Sequence, residues 1–172
     1  SLPNAIATML DPADCGPAFL ALPQDVQGWA YDYPVEFFEE RVHRIRRQLP
    51  DDHDIAEAVS LLKAAKAPLI IAGGGVQYSS ATDELATLAQ KHGITVVETI
   101  AGRANMLFEH PLNCGPIGVT GSNSANALAE KADVILAVGT RLQDFTTGSW
   151  TAFSKSAKII SVNTGRFDAT KH

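Results

Sequence analysis

The amino-acid sequence predicts an α/β protein built on a doubly wound parallel sheet. Short, continuous apolar runs recur along the chain, as in strands that are covered on both faces. Amphipathic helical segments alternate with these runs, which implies right-handed crossovers between parallel strands. A glycine-rich turn follows the first run, in LIIAGGGVQYSS at 69–80. Because such turns are typical of nucleotide-binding folds, the sequence also raises the question of whether this chain binds a nucleotide.

Residues 1–27 predict the last strand of a preceding domain. GPAFLALPQDV at 16–26 favours a short buried strand at 18–22, followed at once by proline and a turn. Residues 28–53 mix aromatic residues, charges and prolines, and predict a linker that carries one helix. The helix is indicated by an apolar stripe at helical spacing, interpreted as packing surface: Val35, Phe38, Val42, Ile45 and Leu49.

Residues 54–172 predict the doubly wound domain itself. Asp54 and Glu57 form a variant of the capping box before a helix with regular apolar spacing. A second helix, with Leu85, Leu88 and Ala89 inward, ends at Gly93, and a third covers about 122–132. The predicted strands are 68–72, 94–98, 133–139 and 158–163.

Composition excludes several classes of partner. The chain has 172 residues, 45% of them hydrophobic and 19% charged, with a net charge of -5, which gives no electrostatic case for nucleic acid. The one basic cluster, at 41–47, is interleaved with acidic residues and favours a solvated helix face. No apolar run approaches the roughly 18–20 residues that cross a bilayer, and the first residues do not resemble a signal peptide. We therefore expect a cytoplasmic protein without membrane contact.

Histidine and cysteine residues predict no metal or catalytic site. Cys15 and Cys114 are far apart and lack metal-ligand spacing, and the histidines are scattered. In HPLNCG at 110–115, Cys114 follows a histidine and could be a nucleophile, although a structural cysteine is favoured. The sequence therefore assigns no catalytic residue and no metal ligand.

The triple glycine at 73–75 is the strongest candidate site. Ligands of parallel α/β sheets bind beyond the carboxyl ends of the strands, and Gly73–Gly75 follow the first strand. The dinucleotide fingerprint needs a further glycine where this chain has Tyr78, and the next helix is expected to begin at Ser79 or Ser80. Glu98 ends the second strand, where a ribose-binding acid would stand. A nucleotide site and an inherited tight turn are both compatible with this pattern.

An ordered series of segments resembles the thiamine-diphosphate enzymes of the acetohydroxyacid synthase type. GPAFLALPQDV resembles the closing strand of their pyrimidine-binding domain, and the rest is similar to their Rossmann-like central domain. The matching segments, in chain order, are APLIIAGGGV, HPLNCGPIGVTGSNSANALAEKADVILAVGTRL and FSKSAKIISVN. Within this family, three further segments most resemble hydrolases of myo-inositol breakdown: LPQDVQGWAYDYP, FFEERVHRIRR and TRLQDFTTGSW. Family members continue past residue 172, so we expect 54–172 to lack the last part of the domain.

The resemblance implies a parent enzyme that uses thiamine diphosphate and magnesium to cleave a carbon-carbon bond in a cyclic diketone. The cofactor-activating glutamate of the family belongs to the pyrimidine domain, and its metal motif opens with Gly-Asp-Gly, which is absent from these residues. We therefore expect an inactive central domain whose partners are the pyrimidine and diphosphate domains of a homo-oligomeric enzyme. An acetohydroxyacid synthase, a glyoxylate carboligase, a free-standing nucleotide-binding module and a sirtuin-like domain remain alternatives.

The resemblance also implies a nucleotide pocket. In flavin-binding relatives the matching positions hold the flavin nucleotide, and here they are Gly73, Gly74, Gly75, Thr99, Ile100, Val119, Gly139, Arg141 and Asn163. This chain departs from the relatives where Gln143, Phe145 and Asn163 replace charged residues, and an amide binds ribose hydroxyls less well than a carboxylate does. We therefore expect a vestigial or weak pocket and no bound FAD.

Overall fold

A computed structural model describes residues 1–171 of the chain. It divides into two compact units, Ser1–Leu49 and Pro50–His172, which are described separately. Among the described residues, no helix is long and apolar enough to cross a membrane.

The unit Ser1–Leu49 contains helices but no strand. Helix α1 covers Leu2–Met9, and two 3₁₀ helices cover Val26–Gly28 and Val35–Phe38. The prediction of a strand at 18–22 is wrong, because these residues are exposed and have no regular structure. A strand needs a partner for its backbone N–H and C=O groups, and residues 1–171 pair no strand with this segment.

The predicted helix over 35–49 is also wrong. Only Val35–Phe38 is helical, as one 3₁₀ turn, and residues 39–49 have no regular structure. Every residue of the apolar stripe is exposed, although the rings of Phe37 and Phe38 lie 5.3 Å apart. An amphipathic helix is stabilised mainly by burial of its apolar face, and that burial is missing here.

The second unit contains a parallel sheet of five strands, β1 Pro68–Ala72, β2 Thr95–Glu98, β3 Asn113–Pro116, β4 Val134–Val138 and β5 Lys158–Val162. The strands lie in the order β3-β2-β1-β4-β5. The doubly wound parallel sheet predicted from the sequence is therefore confirmed. Its helices are α2 Asp52–Ala64, α3 Gly74–Tyr78, α4 Thr82–His92, α5 Asn123–Lys131, α6 Asp144–Thr147 and α7 Arg166–Thr170.

Alternate residues of the strands enter two cores, one on each face of the sheet. One core joins Leu69, Ile71, Val97, Ile135 and Ala137 to Ala125 and Ala129 of α5. The other joins Ile70, Ala72, Val96 and Leu136 to Leu85 and Ala89 of α4. Full burial of an isoleucine contributes about 1.5–3 kcal/mol, so the fully buried Ile70, Ile71 and Ile135 of β1 and β4 contribute substantially to the stability of this unit.

Four predicted strands are confirmed to within one residue at each end, and three local expectations are wrong. Strand β3 was not predicted, because its sequence NCGP has no apolar run. Helix α3 begins at Gly74, not at Ser79 or Ser80. Helix α2 is capped by Asp51, whose side chain accepts from the His53 N–H, and not by Asp54.

Asp133 fastens the loop between α2 and β1 to the start of β4. Its carboxylate accepts the backbone N–H groups of Lys66, at 2.7 Å, and Ala67, at 2.9 Å. These hydrogen bonds hold the pKa of Asp133 below its usual value. The contact crosses more than 60 residues of sequence and positions β1 beside β4 at their amino ends.

Candidate functional site: the crevice between β1 and β4

The strand order places a topological switch point between β1 and β4. From β1 the chain proceeds to β2 and β3 on one side, whereas β4 and β5 lie on the other. In open α/β sheets this arrangement opens a crevice beyond the carboxyl ends of the two strands. Gly73–Gly75 follow β1 and Gly139 follows β4, so the structure brings these four sequence-predicted residues to the crevice.

The glycines pack backbone against backbone. A Cβ on Gly75 would lie 2.6 Å from Gly139 Cα, and a Cβ on Gly139 would lie 2.6 Å from Gly75 Cα. A Cβ on Gly73 would also collide with the Gly139 carbonyl. Gly139 has a φ of 59°, in the left-handed region that favours glycine. Side chains are therefore excluded at a joint between the two strand ends.

Two amides of the triple glycine are engaged by this joint. Gly73 N–H donates to the Val138 carbonyl at 2.8 Å, and Gly75 N–H donates to the Gly139 carbonyl at 2.9 Å. An amide that donates to a carbonyl is not available to a phosphate oxygen. Two of the three amides of the turn that the sequence predicted as a phosphate site therefore connect β1 to the end of β4.

The segment after β2 closes one side of the crevice. Thr99 is buried, its N–H donates to the Ala72 carbonyl, and its hydroxyl accepts the Gly102 N–H at 3.1 Å. Ile100 begins a 3₁₀ helix, Ile100–Gly102, and its side chain is exposed. The buried Glu98 accepts the Met106 N–H at 2.9 Å, so one of its carboxylate oxygens holds the loop after β2 in place.

Arg141 and Asn163, which follow β4 and β5, are also engaged within the chain. Arg141 Nε lies 3.4 Å from Asp168 Oδ2, and Lys171 Nζ lies 3.0 Å from the other oxygen of that carboxylate. The Asn163 amide donates to the Thr140 carbonyl at 3.1 Å and accepts the Gly165 N–H at 3.0 Å. Both side chains therefore fasten loops of this edge to each other.

Val119 lies farther along the edge, beside α6. Its N–H donates to the Phe145 carbonyl at 2.9 Å, and both side chains are exposed. They border an open groove of about 780 Å³ between α5, α6 and the turn at 148–152. The structure therefore places Val119 in a groove separate from the glycine joint.

Cys114 has the environment of a structural residue. Its side chain packs partly buried against one of the two cores, and this burial raises the pKa of its thiol. The neighbouring His110 is not bonded to it, because the ring accepts the Leu112 N–H at 3.1 Å and contacts Gln90 at 2.8 Å. His110 is therefore not placed to act as a base for Cys114.

The described residues do not fit thiamine diphosphate with its metal ion. Residues 1–171 contain no group of three or more histidine, cysteine or acidic side chains that could hold a cation. Two of the three glycine amides that could meet a diphosphate, those of Gly73 and Gly75, are engaged by the carbonyls of Val138 and Gly139. No catalytic step is therefore assigned to residues of this chain.

Sequence reasoning missed two residues of this edge. Asn105 is buried and donates to the Gly73 carbonyl at 2.9 Å, while its own Oδ1 has no hydrogen-bond partner among residues 1–171. Asp168, which lies in helix α7, forms an ion pair with Arg141. Both depend on contacts between segments that are distant in sequence, and neither lies in a periodic pattern or a motif.

Comparison with known proteins identifies the family to which this chain belongs. Residues 55–172 match the family described as "Thiamine pyrophosphate enzyme, central domain". The chain therefore belongs to the central domains of thiamine-diphosphate enzymes, as the sequence resemblance predicted.

The names of the similar proteins are more specific than the family description. The chain is 48% identical, over 98% of its length, to a 3D-(3,5/4)-trihydroxycyclohexane-1,2-dione hydrolase of Geobacillus thermodenitrificans. It is 46% identical over 98% of its length to the protein of the same name from Clostridium perfringens, and 43% over 99% to that of Listeria monocytogenes. It spans only 26%, 26% and 27% of these three relatives, about a quarter of each.

Proposed function

We propose that this chain is the non-catalytic central domain of a thiamine-diphosphate-dependent hydrolase that cleaves a carbon-carbon bond of trihydroxycyclohexanedione in myo-inositol catabolism. The observation that carries this proposal is the 48% identity to a hydrolase of that name over nearly the whole chain. The three relatives reported above all carry the name of this hydrolase, which favours it over an acetohydroxyacid synthase or a glyoxylate carboligase, and the chain's share of about a quarter of each relative favours a domain over a free-standing module.

In this proposal the catalytic parts lie outside these residues. Thiamine diphosphate supplies an electron sink when it is bound to the full-length enzyme, together with magnesium, on other domains. Residues 1–27 are assigned to the end of a pyrimidine-binding domain, 28–53 to a linker and 54–172 to the central domain. The full-length enzyme is proposed to be a cytoplasmic homo-oligomer.

The role of the central domain is then to hold the other domains in place. The engaged amides of Gly73 and Gly75 support this role, because a joint made by the chain itself stiffens the edge without a ligand. The same feature supports the proposal that FAD does not bind. The nine candidate positions, from Gly73 to Asn163, are proposed to be a vestigial pocket.

An activity assay tests the catalytic part of the proposal. The full-length polypeptide is expected to hydrolyse trihydroxycyclohexanedione when thiamine diphosphate and magnesium are added, and the 172-residue chain is not. The control is the full-length polypeptide without thiamine diphosphate. Turnover by the 172-residue chain, or a full-length enzyme that accepts pyruvate and rejects the cyclic diketone, would contradict the proposal.

Calorimetry tests the vestigial pocket. Titration of the 172-residue chain with FAD, ADP and NAD is expected to give no dissociation constant below about 1 μM, which corresponds to roughly 8 kcal/mol. A tighter constant that is weakened by Arg141→Ala would show that the pocket is functional.

A further inference from the structure

We propose that the groove between α5, α6 and the turn at 148–152 binds a neutral cyclic polyol, a small ring that carries several hydroxyl groups. The proposed function gives this chain no ligand, so the inference goes beyond it. The groove has a volume of about 780 Å³, which lies within the range of roughly 300–1,000 Å³ that is typical of small-molecule sites.

Both donors and acceptors of hydrogen bonds line this groove. Helix α5 contributes Asn123 and Glu130, helix α6 contributes Asp144, and the turn contributes Ser149. Among residues 1–171, the side chains of these four residues have no hydrogen-bond or ion-pair partner. A hydroxyl group both donates and accepts hydrogen bonds, so a polyol matches two carboxylates, an amide and a hydroxyl at once.

The charge of the groove disfavours an anionic ligand. The described residues that line it include the carboxylates of Glu130 and Asp144 and no lysine, arginine or histidine. A phosphate or a carboxylate would be repelled by these two charges. A hydroxyl group instead donates a charge-assisted hydrogen bond to a carboxylate. Val119, one of the nine candidate nucleotide positions, therefore borders a groove whose charge does not suit a diphosphate.

The groove also has an apolar surface, which disfavours a small cation. Phe145 is 52% exposed and lines the groove together with Ala127 and Ala152. The C–H groups of a cyclic polyol are buried on such a surface while its hydroxyl groups bond to the polar side chains. An ammonium group has donors only, so it would leave the N–H groups of the Asn123 amide without an acceptor.

One wall of the groove has an uncommon backbone conformation. Gly148, Ser149 and Trp150 have φ values of 55°, 53° and 66°, so three consecutive residues are left-handed, and two of them are not glycine. The buried Thr147 holds this turn, because its hydroxyl accepts the Trp150 N–H at 3.3 Å and its carbonyl accepts the Ala152 N–H at 3.0 Å. Backbone strain of this kind is concentrated at sites that hold ligands.

A second wall is fixed by contacts between α5, α6 and the loop after β3. The Asn126 side chain accepts the Gly118 N–H and donates to the Gly118 carbonyl, both at 3.0 Å. A Cβ on Gly118 would collide with the Phe145 carbonyl, which accepts the Val119 N–H at 2.9 Å. Both walls are therefore fixed without a ligand, which lowers the entropy cost of binding one.

An NMR titration of the isotope-labelled 172-residue chain with myo-inositol tests the inference. We expect saturable chemical-shift changes at the backbone amides of 118–119 and 144–152. The dissociation constant is expected to be on the order of 1–10 mM, because an open groove covers only part of a small ligand. Putrescine, a diamine, and inorganic phosphate are the comparison probes, and each is expected to bind these residues at least about tenfold more weakly.

Matched variants test the role of the two carboxylates. Asp144→Asn removes one from the groove, whereas Asp83→Asn removes an exposed carboxylate from the first turn of α4. Asp144→Asn is expected to weaken myo-inositol binding about tenfold, because hydrogen bonds to a charged acceptor are about twice as strong as those to a neutral one. Asp83→Asn is expected to leave binding unchanged. Glu130→Gln is a second groove variant with the same expected loss, and the thermal unfolding midpoint checks that each variant is folded.

Three results would overturn the inference. The first is a titration with myo-inositol that gives no saturable shift in the groove, and the second is tighter binding of putrescine or phosphate than of myo-inositol. The third is an equal dissociation constant for folded Asp144→Asn, Glu130→Gln and Asp83→Asn.

Discussion

The apolar stripe at 35–49 and strand β1 show that the same kind of sequence signal can have opposite structural outcomes. All five residues of the stripe are exposed, and Leu49 is 91% exposed. In β1, Ile70, Ile71 and Ala72 are 0% exposed, because β2 and β4 pair with both sides of the strand and helices cover its faces.

Apolar periodicity therefore predicts which residues an element must bury to be stable, but not whether the chain supplies a surface that buries them. Strand β1 finds its partners within the chain, in β2 and β4, whose paired residues follow it by 26 and 66 positions (Leu69 with Thr95, Pro68 with Val134). The stripe at 35–49 has the spacing of a helix, yet residues 1–49 supply no covering surface for it. A helix whose apolar face stays in water keeps little of its stability.

The largest expected effect comes from truncating a buried residue in one region and an exposed one in the other. Ile135→Ala removes a fully buried side chain of β4 and is expected to lower the free energy of unfolding by about 2–5 kcal/mol. Phe38→Ala, at an exposed site, is expected to change it by less than about 0.5 kcal/mol. Urea unfolding of both variants measures the contrast, and equal losses would refute it.

A glycine series sharpens the comparison at the joint between β1 and β4. Gly139→Ala adds a Cβ against Gly75 at a positive φ, whereas Gly93→Ala has a similar φ of 64° and open space around the Cβ. We expect Gly93→Ala to lower the free energy of unfolding by about 1–2 kcal/mol, the cost of the left-handed conformation. Gly139→Ala is expected to lower it by about 1–3 kcal/mol more, because of the steric clash. Gly28→Ala, with neither constraint, is the control in the first unit. Equal losses at Gly93 and Gly139 would show that the backbones are not in close contact.

A smaller effect on stability is expected from replacing either of two aspartates, which accept similar hydrogen bonds from partners at different distances along the sequence. Asp133 accepts N–H groups more than 60 residues away, whereas Asp11 accepts those of Ala13 and Asp14, and both have a lowered pKa. A lowered pKa stabilises the folded state above the unfolded value, near 3.9, and this stability is lost as the pH falls through the folded value.

The two aspartates therefore differ in their effect on acid unfolding of the sheet. Asp133→Asn is expected to reduce stability at neutral pH and to flatten its decrease between about pH 5 and pH 2. Asp11→Asn is expected to leave this pH dependence unchanged, because its hydrogen bonds are local and lie in the other unit. Thermal unfolding across that pH range measures both, and an identical response would contradict the distinction.

Four strands of the sheet could be predicted from the sequence because they are continuous apolar runs. Strand β3 and the start of α3 could not, because there the packing of the chain outweighs the local sequence preference. Strand β3, with the sequence NCGP, gives no apolar signal, and its pairing with β2 is irregular. Glycine disfavours helices, so the start of α3 at Gly74 was missed, although the packing of Gly75 on Gly139 explains it.

The sequence predicted which residues follow the strands at the carboxyl edge but not the contacts that they make. Gly73 and Gly75 after β1 do meet Gly139 after β4, whereas a nucleotide-binding role for the nine candidate positions stays a prediction. The pairing of Arg141 with Asp168 and the burial of Asn105 could not be predicted, because both join loops that no sequence spacing relates.

Limited proteolysis by trypsin tests most directly the claim that the sheet is self-sufficient while residues 1–49 depend on a surface outside this chain. The exposed Arg41, Arg44 and Arg46 are expected to be cut first, and the remaining fragment is expected to resist further cleavage. Its thermal unfolding midpoint should match that of the 172-residue chain. First cuts within the sheet unit, or a fragment that unfolds once residues 1–46 are removed, would contradict the claim.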